Sequence, residues 1–223
     1  MMDFSITEYD HFSFDLWLTL IKSNPEYKPA RNSLFKDFFS IEESLEKVSE
    51  VIRYYDVLCN KISENTGRHL KYNEIYLLVL SALTVDIDKI SSEKIDAFYD
   101  EIAELFEKHP PILMNSNTVN LFEKITSSGK TISIMSNTAF IEGQLLKKVL
   151  DFYGLSKFIS FQLYSDETGW SKPNPKLFSK MKNEVKKINK NTNPIILHIG
   201  DNPKADFEGA LNAGIDAYLF KQK

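Results

Sequence analysis

The feature that most constrains the fold is a regular alternation of helical and strand patterns that begins after Pro111. Helical spacing of apolar residues occurs at 119–125, 141–153, 175–188 and 207–213, and short apolar strand patterns occur at 131–137, 158–163, 195–199 and 217–220. Strands that are separated by helices of this length pair in parallel, through right-handed crossovers that cover the sheet. The sequence therefore predicts an α/β fold with a parallel sheet.

One further strand pattern lies near the N-terminus, where Phe12, Phe14 and Leu16 alternate with polar residues. The stretch after it contains only helical patterns. A Ser-x-x-Glu capping box at 40–43 predicts the start of a helix, and two more helices are expected at 72–83 and 92–108. Because the first strand must join the sheet, we expect a core formed by residues 1–22 and 109–223 and an inserted all-helical cap formed by residues 23–108.

Composition argues against two classes of partner. The chain has 27 Lys+Arg and 31 Asp+Glu, a net charge of −4, so no basic surface for nucleic acid or an anionic membrane is spread over it. The longest apolar run, from Ile75 to Leu80, is far shorter than the roughly 20 residues of a membrane-spanning helix. The N-terminus has acids where a secretory signal has bases, so we expect a cytoplasmic protein. Cys59, the only cysteine, lies in a helical apolar pattern, which favours a buried structural thiol.

Polar residues follow the predicted strands at the ends where ligands bind in parallel sheets. The segments are residues 15–19 (DLWLT), 136–138 (SNT), 169–175 (GWSKPNP) and 200–206 (GDNPKAD). Any one of these polar residues is explained by a helix cap or a solvated charge. Their joint occurrence, in order, at the carboxyl ends of strands instead favours a site that combines acids, a hydroxyl group and a lysine.

This set of motifs resembles the haloacid dehalogenase-like hydrolase superfamily. Members of that family have DxDxT after the first strand, a Ser or Thr after the second, a Lys often followed by Pro-x-Pro, and an acidic GDxxxxD-type loop. Here the motifs read FDLWLTL, IMSNT, GWSKPNPKLF and HIGDNPKADFEGALNAGI. The resemblance covers nearly the whole chain, including the helical cap inserted after the first motif. It implies a Rossmann-like core and a hydrolase, but it does not name a substrate.

The resemblance implies a nucleophile and a metal site. Asp15 would attack phosphorus and form an aspartyl-phosphate, which splits one difficult displacement into two easier steps. The carboxylates of Asp15 and Asp201 and the carbonyl of Trp17 would bind Mg²⁺, a cation that prefers oxygen ligands. Asp206 would orient waters or Lys172 from behind these ligands.

The resemblance also implies which groups hold the substrate. Ser136 and the backbone N–H of Asn137 would bind phosphoryl oxygens, and Lys172 would balance the charge on Asp15 and the phosphate. Thr19, at the substrate-binding end of the first motif, would brace the loop. As a loop residue, Lys172 is expected to be exposed, and to matter more for catalysis than for stability.

One position departs from the family pattern. The second aspartate of the first motif, which protonates the leaving group, is Trp17 here, and indole has no titratable proton in the working range. Family dehalogenases also lack this aspartate and displace halide without a metal, because halide needs no proton to leave. They generally lose the acidic fourth motif, however, and this chain keeps it.

Three interpretations therefore stay open. The first is a Mg²⁺-dependent phosphatase or phosphotransferase that acts on a small phosphorylated metabolite, which the acidic fourth motif favours. The second is a metal-independent hydrolase of 2-haloacids. The third is a weakly active member that binds a phosphometabolite or a partner protein.

Two histidines are interpreted as structural. His198 precedes Gly200 in an apolar strand, so we expect a hydrogen-bonded core residue. His69 lies in the predicted cap between Arg68 and Lys71, where surface charge is the expected role.

Overall fold

The computed structural model describes residues 4–221 of the chain. Its main sheet has five parallel strands in the order β5-β4-β1-β6-β7. The strands are β1 (His11–Phe14), β4 (Thr131–Ser136), β5 (Ile159–Tyr164), β6 (Ile196–Gly200) and β7 (Asp216–Leu219). The predicted α/β class with a Rossmann-like parallel sheet is thereby confirmed.

The first strand lies at the centre of this sheet. Phe12 pairs with Ile132 of β4 on one side and with Leu197 of β6 on the other, and every residue of β1 is buried. A parallel strand with helices on both faces is buried throughout, so its residues need not alternate between apolar and polar. The central position brings the end of β1 close to the ends of β4 and β6.

Helices make up most of the remaining structure. The α-helices are, in chain order, α1 (Tyr27–Phe38), α2 (Leu45–Thr66), α3 (Tyr72–Ala82), α4 (Ser92–Lys108), α5 (Thr118–Ser127), α6 (Gly143–Phe152), α7 (Ser165–Thr168), α8 (Pro175–Ile188) and α9 (Gly209–Asn212). Short 3₁₀ turns occupy Ile6–Glu8, Ile87–Lys89 and Ser156–Phe158, and a turn of π-helix, Pro203–Glu208, leads into α9. None of the described helices is both long enough and apolar enough to cross a bilayer.

Helices α1 to α4 form one continuous stretch between two very short strands. β2 (Ile21–Lys22) and β3 (Ile112–Leu113) pair antiparallel, so the chain leaves the sheet and returns to it along one ribbon. Cys59 is buried in α2, as predicted. We call α1 to α4 the helical segment; the domain boundaries at 22/23 and 108/109 stay a prediction.

The helix boundaries differ from the expectations in two places. The capping box at Ser40 is wrong: Ser40 has a left-handed backbone with φ of 52°, and α2 begins at Leu45 with the Ser44 hydroxyl accepting from the Lys47 N–H at 3.2 Å. The helix predicted at 207–213 is replaced by the π-turn and the short α9.

Helix α1 has no counterpart among the predicted helices. Two of its four buried residues, Arg31 and Asn32, are polar, so its buried face carries little apolar periodicity. Pro29 is tolerated because it lies in the first turn, where the backbone N–H has no partner within the helix.

Candidate active site

Asp15 begins the site directly after β1. Its backbone N–H donates to the Ile199 carbonyl at 2.8 Å, which ties it to the neighbouring strand. Its side chain is buried; Oδ1 accepts from Lys172 Nζ at 2.7 Å and Oδ2 accepts from the Thr19 hydroxyl at 3.0 Å. Both oxygens of the predicted nucleophile are therefore held in one orientation. Thr19 is itself buried, and the contact that the structure shows for it is this bond to Asp15.

The structure places Lys172 in the interior, and the expectation of an exposed loop lysine is wrong. The residue is 1% exposed, and its ammonium donates to Asp15 Oδ1 at 2.7 Å, to Asp206 Oδ1 at 2.6 Å and to the Met135 carbonyl at 2.7 Å. A buried ammonium is tolerated only when it is paired and all its donors are used. Burial alone would lower the pKa of Lys172, but the two carboxylates outweigh it and raise this pKa above its usual value.

Asp206 lies in the π-turn after β6, and its Oδ1 accepts the hydrogen bond from the Lys172 ammonium. Oδ1 also lies 3.0 Å from His198 Nε2, and Oδ2 accepts from the Asn202 N–H at 3.0 Å. A Cβ on Gly200 would lie 2.2 Å from Asp206 Cγ, so this close approach requires glycine at the end of the strand. Although burial opposes it, the charge of Lys172 and the bond to His198 hold the pKa of Asp206 well below its usual value.

His198 is the hydrogen-bonded core residue that the sequence predicts. Its ring is fully buried, with Nδ1 at 3.0 Å from the Ser13 hydroxyl and Nε2 facing Asp206. Burial lowers the pKa of His198 more than the neighbouring carboxylate raises it, which favours a neutral ring that donates from Nε2.

Three carboxylates meet at this edge of the sheet. Asp15, Asp201 and Asp206 each offer an oxygen within 4.8 Å of the other two. Burial and the charge of Asp206 raise the pKa of Asp15, although Lys172 opposes the shift, and they raise the pKa of Asp201 to about 6. One lysine leaves the cluster with excess negative charge, which is the electrostatic environment of a divalent cation.

The bonding of the three acids separates them by role. Asp206 accepts three hydrogen bonds from within the site, two at Oδ1 and one at Oδ2, whereas each oxygen of Asp15 accepts only one. Asp201 is only half-buried, and its carboxylate bonds to no other side chain between residues 4 and 221. A cation therefore fits Asp15 and Asp201 best, with Asp206 positioning Lys172 behind them.

Ser136 and Asn137 form the end of β4. Ser136 is fully buried, and its hydroxyl lies 3.3 Å from the Asn137 carbonyl. The Asn137 side chain accepts from the Lys172 N–H at 2.7 Å and donates to the Lys172 carbonyl at 3.0 Å. This pair of bonds joins the strand to residues 169–174, which we call the lysine loop because they contain Lys172. The sequence did not predict this role of Asn137.

A cavity of about 480 Å³ opens above these residues. Its base contains Asp15, Lys172 and Asp201, and half-buried Trp17 forms part of its wall. Further lining residues come from α1 and α2: Tyr27, Lys28, Arg31, Arg53, Asp56, Asn60, Lys61 and Glu64. Sequence reasoning missed this group, because polar residues on an amphipathic helix are normally solvated.

The end of α2 contacts the core beside the cavity. The Gly67 carbonyl accepts from the Ser171 N–H and from Asn174 Nδ2, each at 3.1 Å, and Glu64 accepts from Asn202 at 2.8 Å. These bonds link the helical segment to both the lysine loop and the loop that follows β6.

His69 belongs to the same contact, and the expectation of a surface charge there is wrong. The residue is half-buried, and its Nδ1 lies 3.1 Å from the Ser165 hydroxyl at the start of α7. Burial lowers the pKa of His69, so the neutral ring is favoured. The neighbouring charges of Arg68 and Lys71 indicate an exposed position. They carry no information about the contact with Ser165, which is distant in sequence.

Comparison with known proteins identifies the family of the chain. The family described as haloacid dehalogenase-like hydrolase matches residues 9–214. The haloacid dehalogenase-like hydrolase domain-containing protein 3 of Bos taurus is 29% identical over 91 residues, which are 41% of this chain and 33% of that protein. The match therefore spans about a third of the length of this curated relative.

Solved structures share the fold at low identity. The Bacillus subtilis protein YfnB bound to magnesium aligns with a TM-score of 0.64 and 18% identity, over 96% of this chain and 90% of that one. A 2-haloacid dehalogenase from Pseudomonas syringae pv. Tomato aligns with a TM-score of 0.62 and 20% identity, over 95% of this chain and 86% of that one. A predicted phosphoglycolate phosphatase from Haemophilus somnus aligns with a TM-score of 0.63 and 18% identity, over 96% of this chain and 85% of that one. All three are at most 20% identical to this chain, and the dehalogenase and the phosphatase differ in chemistry, so these structures establish the architecture alone.

Proposed function

The chain belongs to the haloacid dehalogenase-like hydrolase family, and from this premise we propose that it is a Mg²⁺-dependent phosphohydrolase or phosphotransferase for a small phosphorylated metabolite. The observation that carries the proposal is the cluster of Asp15, Asp201 and Asp206, in which Asp15 and Asp206 share one lysine. A metal-free displacement of halide needs the nucleophile but has no use for a second, half-exposed carboxylate beside it.

The nucleophile is Asp15. One of its carboxylate oxygens forms a bond to phosphorus while the bond between phosphorus and the leaving oxygen breaks, which gives an aspartyl-phosphate. Water then attacks phosphorus, releases inorganic phosphate and regenerates the carboxylate; another acceptor hydroxyl in place of water would give phosphotransfer. Thr19 and Lys172 hold the carboxylate throughout, so little reorientation precedes the attack.

Charge compensation comes from two sides of the phosphoryl group. Asp15, Asp201 and the Trp17 carbonyl would hold Mg²⁺, and the bound ion would supply positive charge to the phosphoryl oxygens. Lys172 balances the charge of the nucleophile, and Asn137, which lines the cavity, would donate its backbone N–H to a phosphoryl oxygen. The Ser136 hydroxyl does not line the cavity and would have to turn from the Asn137 carbonyl to donate as well. The cavity volume of about 480 Å³ suits a small metabolite.

A screen of phosphate esters with and without Mg²⁺ tests the proposal. We expect phosphate release from an aryl phosphate, p-nitrophenyl phosphate, that needs Mg²⁺ and stops with EDTA. Release of halide from 2-chloropropionate in the presence of EDTA would instead establish the dehalogenase that Trp17 allows. Binding of a phosphorylated compound without either reaction would point to a ligand-binding member.

Asp201→Asn is expected to weaken Mg²⁺ binding at least about 10-fold, a loss that is typical even for residues that only orient a metal ligand. The reason is that the variant removes one of two anionic ligands while keeping the shape of the side chain. Calorimetric titration with Mg²⁺ measures the effect, and Asp151→Asn, at an exposed position on α6, is the matched control. Equal Mg²⁺ affinity in both variants would remove Asp201 from the metal site.

Because Trp17 cannot act as a general acid, we predict that the rate of hydrolysis depends steeply on the pKa of the leaving group. General acid catalysis contributes about 10²- to 10⁴-fold in rate, and no acid stands two residues after the nucleophile. We therefore expect aryl and acyl phosphates to be hydrolysed far faster than alkyl phosphates, and Trp17→Asp to reduce the difference. The measurement is the rate of phosphoenzyme formation and decay for leaving groups of graded pKa. The slope of log rate against leaving-group pKa is then compared between the native protein and Trp17→Asp.

Equal rates for alkyl and aryl esters in the native protein would contradict this reading of Trp17. Asp56 and Glu64 of α2 would then be the acids to test, since both line the cavity. Glu64 accepts a hydrogen bond from Asn202 and so is already directed toward the loop after β6.

A further inference from the structure

Arg31 of α1 is a buried cation in the wall of the cavity. The residue is 6% exposed, and its guanidinium lies 5.3 Å from the centre of the Phe140 ring. Nε and Nη2 both donate to Asn32 Oδ1, at 3.1 and 2.9 Å. Asn32 is held in turn, because its Nδ2 donates to the Ser49 hydroxyl of α2 at 2.9 Å. The guanidinium is thus positioned by a fixed amide rather than by a charge.

Most of the hydrogen-bonding capacity of Arg31 is unused. A guanidinium has five N–H donors, and the amide of Asn32 takes two of them. No carboxylate between residues 4 and 221 forms a salt bridge with it. A buried charge without a counter-charge is costly, so a site of this kind is completed by an anion.

Tyr27 adds a second observation on the same helix face, since residues four apart are neighbours on a helix. Its side chain lines the cavity, and its hydroxyl is buried with no hydrogen-bond partner within the described chain. The Tyr27 hydroxyl and the remaining N–H groups of Arg31, one helical turn apart, therefore have no acceptor among the described residues.

The charges of the cavity wall differ between the core and the helical segment. The end at the sheet contains three acids and one lysine. The charged residues that the helical segment contributes to the lining are Lys28, Arg31, Arg53, Lys61, Asp56 and Glu64. Asp56 pairs with Arg53 at 3.3 Å, and Glu64 bonds to Asn202, so both acids of this side are engaged. The part of the lining that comes from the helical segment therefore has an excess of positive charge, with four cations and two acids.

We propose that Arg31, with Lys28 beside it, binds a second anionic group of the substrate, at the end away from the phosphoryl group that Asp15 attacks. The substrate class is then a small phosphate monoester that also carries a carboxylate or a second phosphate. Arg recognises both groups through paired N–H···O bonds, and burial strengthens these bonds. This inference rests on the proposed function and narrows its substrate.

Three esters that differ in one group test the inference. 2-Phosphoglycolate carries a carboxylate, the bisphosphate of 1,2-ethanediol carries a second phosphate, and 2-hydroxyethyl phosphate carries a neutral hydroxyl group. We expect kcat/KM for at least one anionic ester to exceed that of the neutral ester by about 30-fold or more, the lower range for a buried charge pair. The preferred anionic ester identifies the second group.

Arg31→Gln tests the residue itself. It keeps an amide that can donate hydrogen bonds but removes the charge, so we expect it to lower kcat/KM for the preferred anionic ester about 30-fold and to bring the preference over the neutral ester close to one. The control is Arg68→Gln, which removes an arginine that stacks on Trp170 at 3.8 Å and does not line the cavity. This control should keep the preference.

The outcomes separate this inference from the function on which it rests. Turnover of p-nitrophenyl phosphate with equal kcat/KM for all three esters would overturn the inference and leave the phosphatase intact. A preference that survives Arg31→Gln would also overturn it. If none of the three alkyl esters is hydrolysed, calorimetry with the same three compounds decides the inference. If p-nitrophenyl phosphate is not hydrolysed either, the proposed function fails as well. Tighter binding of an anionic compound that Arg31→Gln removes would support the anion site, and equal binding would overturn it.

Discussion

Asp15→Asn is expected to lower turnover at least about 10⁴-fold while the protein stays folded, because removing a nucleophile costs on this scale or more. An amide has nearly the shape of a carboxylate but is a poor nucleophile. The site can accommodate it: Asn Oδ1 can accept from Lys172, and the Thr19 hydroxyl can turn from donor to acceptor to face the amide NH₂. Phosphate release and thermal unfolding, measured on the same preparation, check both parts of the prediction.

The matched control for this variant is Asp88→Asn, an exposed aspartate in the helical segment that should leave turnover unchanged. We expect the free energy of unfolding of Asp15→Asn to fall by no more than about 2 kcal/mol, the scale of one altered buried hydrogen bond. Turnover within tenfold of the native protein would exclude Asp15 as the nucleophile. An unfolded variant would show that the carboxylate is required for the fold.

Lys172→Met is expected to cost both stability and activity. The variant leaves Asp15 and Asp206 buried without their shared cation, and breaking a buried pair in this way costs about 3–5 kcal/mol. Methionine is similar in length and apolar, so little of the loss is due to a cavity. Loss of the charge beside the nucleophile should also lower turnover about 10²- to 10³-fold. Denaturant unfolding measures the change in the free energy of unfolding. EDTA is included because bound Mg²⁺ would itself stabilise the folded protein.

A second substitution distinguishes the electrostatic explanation from a packing defect. Lys172→Met combined with Asp206→Asn removes a cation and one of its anions together, so it should be more stable than Lys172→Met alone. Lys187→Met is the control: Lys187 pairs with Glu184 at an exposed site, where an ion pair is worth about 1 kcal/mol or less. A double variant less stable than the single one would contradict the electrostatic account.

The positions of the candidate nucleophile and acids could be predicted because they depend on local order along the chain. Asp15 and Asp201 each follow directly after a strand, and strands of a parallel sheet end at the same edge. Lys172 could be assigned to this edge for the same reason, but its burial could not. A lysine is buried only when carboxylates surround it, and Asp15 and Asp206 are 157 and 34 residues away in sequence.

The helical segment shows the same limit. Helices α3 and α4 follow from apolar spacing, whereas α1 buries Arg31 and Asn32 and so hides its periodicity. The contacts that hold these two residues come from Ser49 on α2 and from Phe140 after β4. Nothing in the sequence near Arg31 indicates either contact.

The sequence by itself determined the α/β class, the parallel sheet and the residue types at the ends of the strands, because hydrophobic period and chain order encode them locally. Only the tertiary structure decided which charges are buried, which of them are paired, and which residues of the helical segment line the same cavity as Asp15. Burial and pairing depend on groups that are distant in sequence and become neighbours only when the chain is folded, and so does the pKa of each group.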